Sequence, residues 1–279
     1  MLYSAADQLF LGQERRNTQL NRALTKIPPL AGRKGGTHSL TDWAYTIGVF
    51  HTVLHYTLGD REKIDLLDVG CGTGRLALAS QILLGRDGSY TGVDINRDDV
   101  GYCQRYYDDP RFKFVHLEHK NRAYAAQQQA AFTPYPFPDD AFDAVTALSV
   151  WTHLNEADAT FYMAEIGRTL RPGGKAVITF FLLDAEYESF LASNPPETSA
   201  FTLRNPQRYR FDQPVDASDA WFSPAWAGIP ESAIGVTPAG LARLEQASGL
   251  TVAQIKHGYW HERPGAFFQD IVIFEKKAR

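Results

Sequence analysis

The sequence predicts an α/β fold built on a doubly wound, mostly parallel seven-stranded sheet with an antiparallel last strand. N-terminal helices precede the sheet, and a cap is inserted after the fifth strand. Three observations carry this prediction. A glycine-rich turn, Asp68 to Gly74, lies between a short apolar run and a helical segment. Apolar strand-like runs then alternate with helical stretches, a rhythm that calls for parallel strands with crossover helices on both faces. The alternation breaks at about residues 184–235, in a stretch rich in proline and aromatic residues, and resumes afterwards.

The 279 residues suit one large α/β domain carrying an insertion. With 44% hydrophobic and 22% charged residues, the composition is that of a globular chain. A formal net charge of −4 gives no global attraction to nucleic acid. The two cysteines, Cys71 and Cys103, do not make a disulfide framework, and Cys71 lies inside the glycine-rich turn. A reducing compartment follows as an expectation. No apolar run approaches membrane-spanning length and the N-terminus lacks a continuous apolar segment, so the expected location is cytoplasmic.

Residues 1–60 precede the ligand-binding core, expected over residues 61–279. Ala5 to Lys26 has helical composition and ends at Pro28-Pro29. Ser39 or Thr41 caps a second expected helix through Trp43, Tyr45, Ile47, Phe50, Val53 and Leu54. Two readings stay open for it: packing on the sheet edge, or closure of Gly35-Gly36 with Trp43 or Tyr45 over a ligand.

Strands are expected near 63–69, 89–94, 112–117, 142–148 and 174–182, and helices near 74–84, 97–107 and 156–170. The first strand leads into Gly70, Gly72 and Gly74, which allow a sharp turn and close backbone approach to a ligand. Their G-x-G-x-G spacing differs from the G-x-G-x-x-G of many dinucleotide sites. Asp68 precedes the turn, and Asp94 ends the second strand. A carboxylate at that strand tip accepts hydrogen bonds from ribose hydroxyls. The residues therefore point to an adenosine-containing ligand with a free ribose.

His116-x-x-His119 is too sparse for a metal site, and no metal is expected. Arg171-Pro172-Gly173-Gly174 reads as a helix C-terminal turn that begins the fifth strand. In the cap, Arg204, Arg208 and Arg210 are candidates for an anionic group, although a solvated face suits them equally. Pro238 opens a helix that Gly249 stops. Thr251–Ile255 and Phe267–Phe274 read as the last two strands, an antiparallel pair flanking His257-Gly258-Tyr259-Trp260-His261.

Taken in order, Asp68 to Gly74, Gly92-Val93-Asp94, Phe142-Asp143-Ala144-Val145 and Leu170 to Gly174 resemble the class I S-adenosylmethionine-dependent methyltransferases, which are Rossmann-like. The resemblance spans roughly residues 60–183. It implies methyl transfer from S-adenosylmethionine to a small or medium organic acceptor, most simply a hydroxyl of a sugar, lipid or secondary metabolite. It further implies cofactor contacts from Asp68, Gly70, Cys71, Gly72, Gly74, Asp94, Ile95, Leu148 and Ser149. Glu118, with Asn121 beside it, takes the position that often touches the adenine amino group, although many members carry Asp there. Trp151, His257 and Trp260 are the expected acceptor-binding residues. His153, just past the fourth strand, is the first candidate for a general base, with His257 and His261 behind it. Two rival readings are a non-catalytic S-adenosylmethionine-binding sensor or partner subunit, and an NAD-dependent oxidoreductase. The glycine spacing and the Pro-Gly-Gly element count against the second.

Overall fold

The computed structural model describes residues 27–28, 32–33, 39–118, 132–193 and 209–278. The first described helix, α1 (Leu40–Leu58), starts at Ser39, whose hydroxyl accepts from the Asp42 amide, and stops at Gly59, whose φ is positive and whose amide donates to the His55 carbonyl. Its buried residues, Trp43, Ile47, Phe50, Leu54 and Leu58 among them, fall at helical spacing and pack on the core.

The strands β1 (Asp65–Val69), β2 (Ser89–Asp94), β3 (Phe112–His116), β4 (Phe142–Ala147) and β5 (Leu170–Phe180) pair in parallel. Among the described residues, three crossover helices lie between them: α2 (Arg75–Ser80), α3 (Arg97–Tyr106) and α4 (Glu156–Thr169). After β5 come α5 (Ala185–Ser193), the short strands β6 (Phe211–Pro214), β7 (Trp221–Pro224) and β8 (Gly235–Val236), then α6 (Pro238–Ser248). The chain ends in β9 (Leu250–Lys256) and β10 (Asp270–Lys276).

The main sheet has the order β3-β2-β1-β4-β5-β10-β9. Strand β10 runs antiparallel to both β5 and β9, so β9 points the same way as β5. The expected seven-stranded, mostly parallel sheet is therefore present, with the one reversed strand inside it and not at its edge. Strand order reverses between β1 and β4, which opens a crevice at their carboxyl ends, the usual ligand position in such sheets.

Alternation along the strands divides the core in two. Leu67, Ile178, Phe180, Val272 and Phe274 join the cluster that includes α4 and α6 residues. Leu66, Val177, Ile271 and Ile273 face the other way, into the cluster with α1, α2 and α3 residues. The inserted stretch forms its own three-stranded sheet, β6-β7-β8. It is joined to the core where Leu183 donates to Val236 and Val236 to Phe181. An aromatic cluster of Phe181, Tyr187, Phe211 and Trp260 fills the junction.

One expectation is corrected. Arg171 to Gly174 is not a helix C-terminal turn, because α4 ends at Thr169 and the stretch belongs to β5. The β4–β5 register slips there, from Phe142 opposite Leu170 to Ala144 opposite Lys175. The bulge aims Arg171 at two strand-end carboxylates, 2.7 Å from Asp143 and 3.2 Å from Asp65.

Candidate functional site

The glycine turn sits on the tip of β2. The amides of Gly70 and Cys71 both donate to the Val93 carbonyl, at 2.8 and 3.0 Å. Gly70, Gly72 and Gly74 all have positive φ. A Cβ on Gly70 would lie 2.4 Å from Val150, so that position is closed by packing. A Cβ on Gly72 would meet nothing within 4 Å. The turn is thus tight against the protein at Gly70 and faces open space at Gly72.

Asp94 frames that opening. Its Oδ2 accepts the Gly72 amide and its Oδ1 the Asn96 amide, each at 2.8 Å. These bonds fix the carboxylate and use only part of its acceptor capacity, leaving lone pairs for a diol. Burial raises its pKa, opposed by the two amide bonds. Asp68 lies beneath the turn and is 1% exposed. It accepts from the hydroxyls of Tyr90 at 2.5 Å and Thr146 at 2.8 Å. Burial pushes its pKa up to about 7. Its place is behind the turn, supporting it from inside the sheet.

Cys71 is buried, and its sulfur lies 3.7 Å from the Gly72 carbonyl. Cys103 reaches the same oxygen at 3.3 Å, and both thiols are free. Ile95 and Leu148 are half-buried at the ends of β2 and β4. Ser149 has φ +57, its amide donates to Thr179 Oγ1 at 2.8 Å, and its hydroxyl donates to Gln269 Oε1 at 2.9 Å. Glu118 is exposed, 3.7 Å from an equally exposed Arg97, a weak surface pair. Asn121, Gly35-Gly36, His119, Arg204 and Arg208 lie outside the described residues, as does the helix expected over Ala5 to Lys26.

Of the α1 aromatics, Trp43 is fully buried with the Arg75 guanidinium 4.6 Å from its ring centre. Tyr45 is half exposed and donates to the Ala266 carbonyl at 2.5 Å. Trp43 therefore serves the core, in the cluster that α1 shares with α2 and the face of the central strands, not with a sheet edge.

His153 is half-buried in a short 3₁₀ turn, Trp151–His153, with Nδ1 2.8 Å from the Glu231 carbonyl of the cap. Burial lowers its pKa, against that bond. Trp151 and Trp260 are both buried, but in separate clusters. Trp151 packs in the main core near Phe180, and Trp260 in the aromatic junction under the cap. The two indoles fill different layers and do not form one shared wall. His257 is partly exposed, with Nδ1 3.7 Å from Asp270 Oδ1.

Sequence reasoning missed Tyr90, Thr146, Thr179 and Gln269, the residues that hold Asp68 and Ser149 in place. It also missed the role of Asp270, which is 1% exposed. Asp270 accepts from the amides of Gly258 and Leu182 and from Trp260 Nε1, at 2.8, 2.9 and 2.8 Å. A carboxylate placed directly before the apolar run Ile271-Val272-Ile273-Phe274 was the available signal.

Comparison with known proteins agrees with this geometry. Residues 67–178 match the family model described as a methyltransferase domain. The fatty-acid O-methyltransferase of Mycolicibacterium smegmatis is 33% identical over 57% of this chain and 51% of its own length. The phthiotriol/phenolphthiotriol dimycocerosates methyltransferase 1 of Mycobacterium ulcerans is 31% identical over 53% of this chain and 49% of its own. The chain thus spans about half the length of these relatives. An S-adenosylmethionine-dependent methyltransferase structure from Methanosarcina mazei superposes with a TM-score of 0.53 at 19% identity, over 81% of this chain and 98% of that one. The [4+2]-cyclase SpnF also shares the fold, with a TM-score of 0.52 at 17% identity, over 89% of this chain and 85% of that one.

A Rossmann-like sheet with a glycine turn open at Gly72 and an acidic second-strand tip defines a nucleotide-binding α/β protein. More narrowly, residues 67–178 match a methyltransferase domain, and the chain is similar in sequence to curated methyltransferases and in fold to a solved S-adenosylmethionine-dependent methyltransferase.

Proposed function

We propose that this chain transfers a methyl group from S-adenosylmethionine to a hydroxyl oxygen of a small or medium organic acceptor, of sugar, lipid or secondary-metabolite type. The observation that carries the reading is the open face of Gly72 beside an Asp94 carboxylate anchored by two backbone amides. That arrangement suits the adenosine part of the cofactor: Asp94 takes the ribose hydroxyls and the Gly72 backbone permits close approach. Leu148 and Ser149, past the end of β4, suit its methionine part. When bound, S-adenosylmethionine supplies an electrophilic methyl carbon on a sulfonium that leaves as a neutral thioether.

What the protein adds is alignment and dryness. The part-buried hydrogen bonds that Ser149 donates to Thr179 and Gln269 hold it, and the cap adds aromatic surface from Tyr209, Phe222 and Trp226 on the acceptor side. Fixed orientation of two reactants lowers a bimolecular barrier by several kcal/mol. The apolar cap favours acceptors with substantial apolar area, in keeping with the fatty-acid and phthiotriol relatives.

Calorimetric titration with S-adenosylmethionine, S-adenosylhomocysteine and NAD tests the cofactor, followed by a screen of hydroxyl acceptors with methyl-labelled cofactor. Binding of the two sulfur ligands and labelled ether product are expected. Binding of NAD alone overturns the reading. A second reading, a non-catalytic S-adenosylmethionine-binding protein, is favoured by the burial of Trp151 and Trp260 in separate clusters. Cofactor binding with no labelled product from any acceptor class would support it.

A further inference from the structure

We propose that His257 and Asp270 form the proton-accepting dyad for the acceptor hydroxyl, with His257 as the general base and Asp270 as its positioning residue. The proposal rests on the methyl-transfer reading and supplies the base that reading requires.

Topology puts both residues at the working edge. Because β9 runs parallel to β5, His257, just past its end, lies at the carboxyl edge of the sheet, the edge that carries Ser149 after β4. Asp270 opens the reversed strand β10 at the same edge, opposite Phe180. Its neighbour Gln269 accepts from Ser149, which joins this corner to the cofactor crevice.

The local geometry is that of a base with its orienting group. Asp270 is held by Gly258, Trp260 and Leu182, so it has little freedom to turn away. Its Oδ1 lies 3.7 Å from His257 Nδ1, which is buried and has no hydrogen-bond partner. The side chain as a whole is 35% exposed, so its exposure lies on atoms other than Nδ1. A carboxylate behind Nδ1 favours the tautomer with the proton on Nδ1 and the lone pair on Nε2. Contraction by about 0.9 Å gives a charge-assisted hydrogen bond, and such bonds commonly tighten only in the substrate complex.

The surrounding charges act in the same direction. Asp270 lies against the ring, Asp184 is near enough to interact with it electrostatically, and Arg263 is engaged by Asp184 at 3.1 Å and Glu186 at 2.9 Å. His261 lies on the far side of Trp260, against Tyr187 and Phe190. An imidazolium at His257 therefore sits among carboxylates. His153 has a backbone carbonyl, not a carboxylate, behind its Nδ1. It ties the end of β4 to the cap.

In the proposed step the acceptor O–H bond breaks and its electron pair stays on oxygen. The proton moves to the lone pair of His257 Nε2, and the imidazolium returns it to water once product has left.

The test begins with nitrogen-15 NMR of histidine-labelled full-length protein with S-adenosylhomocysteine bound, the His257 signals being assigned by His257→Gln. The Nδ1–H tautomer is expected, and Asp270→Asn should reduce its population. An Nε2–H tautomer overturns the dyad, whether or not the Asp270 variant folds. Kinetics then compare 4-octylphenol with its far more acidic 2-nitro derivative. His257→Gln should slow the first by about 100-fold or more and the second by under about 10-fold. Equal slowing of both overturns the base role. Failure of the wild type to bind S-adenosylhomocysteine would overturn the methyl-transfer reading itself, an outcome distinct from a wrong tautomer in a protein that binds.

Discussion

The Ser149 hydroxyl donates to Gln269 Oε1 across 2.9 Å, joining the residue after β4 to the residue before β10. The bond is 120 residues long in sequence and holds Ser149 in a left-handed conformation that a non-glycine residue seldom takes. Replacing Gln269 with Leu removes the acceptor and leaves a half-buried hydroxyl unpaired. The expected cost is about 1 kcal/mol of unfolding free energy, read by urea denaturation. Affinity for S-adenosylhomocysteine should fall with it, since Ser149 loses its anchor. Unchanged affinity would remove Ser149 from the cofactor site.

Gly70 and Gly72 should respond differently to alanine. At Gly70 a Cβ meets Val150 at 2.4 Å, and the turn packs against β2 on its other side. Gly70→Ala is expected to lower the melting temperature by several degrees. At Gly72 the Cβ has room, so the folding penalty is the left-handed backbone alone, about 1 kcal/mol. The methyl group would instead project into the open face beside Asp94. Gly72→Ala should therefore keep the fold and weaken cofactor binding. Calorimetry and thermal melts on both variants separate the two, and the opposite pattern would place the ligand elsewhere.

Asp94→Ala removes the carboxylate that joins Gly72, Asn96 and the expected ribose. Binding of S-adenosylhomocysteine should weaken by about 1–3 kcal/mol, or roughly 5- to 150-fold in Kd. A folded variant of unchanged affinity would refute the ribose assignment.

The sequence made the sheet and the glycine turn legible because both are local patterns. Asp68 to Gly74 and Gly92 to Asp94 are short, and their meaning depends on backbone conformation, which glycine spacing reveals. Strand and helix positions from residue 63 to 169 follow from apolar periodicity. Contacts between distant segments were less legible. Nothing in Arg171-Pro172-Gly173-Gly174 signals that Arg171 reaches Asp65 and Asp143, since that depends on a register slip against β4. Trp151 and Trp260 read as pocket residues because they follow strand ends. In the structure their large apolar rings are used to fill two different layers. The Asp270 bonds link residues 182, 258 and 260 to one carboxylate, a convergence visible only in three dimensions.

Asp68 makes the stability of the fold depend on pH. Its carboxyl is enclosed under the glycine turn, and burial raises its pKa from 3.8 to about 7, against the hydrogen bonds from Tyr90 and Thr146. Below about pH 4 the group is protonated in both the folded and unfolded chain, and the folded state bears no cost from it. Between about 4 and 7 the folded chain keeps a proton that the unfolded chain releases, so rising pH favours unfolding. Above 7 the carboxylate is ionised in both states and the full penalty is present, on the order of 4 kcal/mol for a shift of this size. Asp68→Asn cannot ionise, and the hydroxyls of Tyr90 and Thr146 can each donate or accept to suit the amide. Unfolding free energies measured by urea denaturation from pH 4 to 8 should fall for the wild type relative to the variant across this window. They should then run parallel above about pH 7. A difference that stays flat from pH 4 to 8 would mean that Asp68 is ionised in the folded protein throughout.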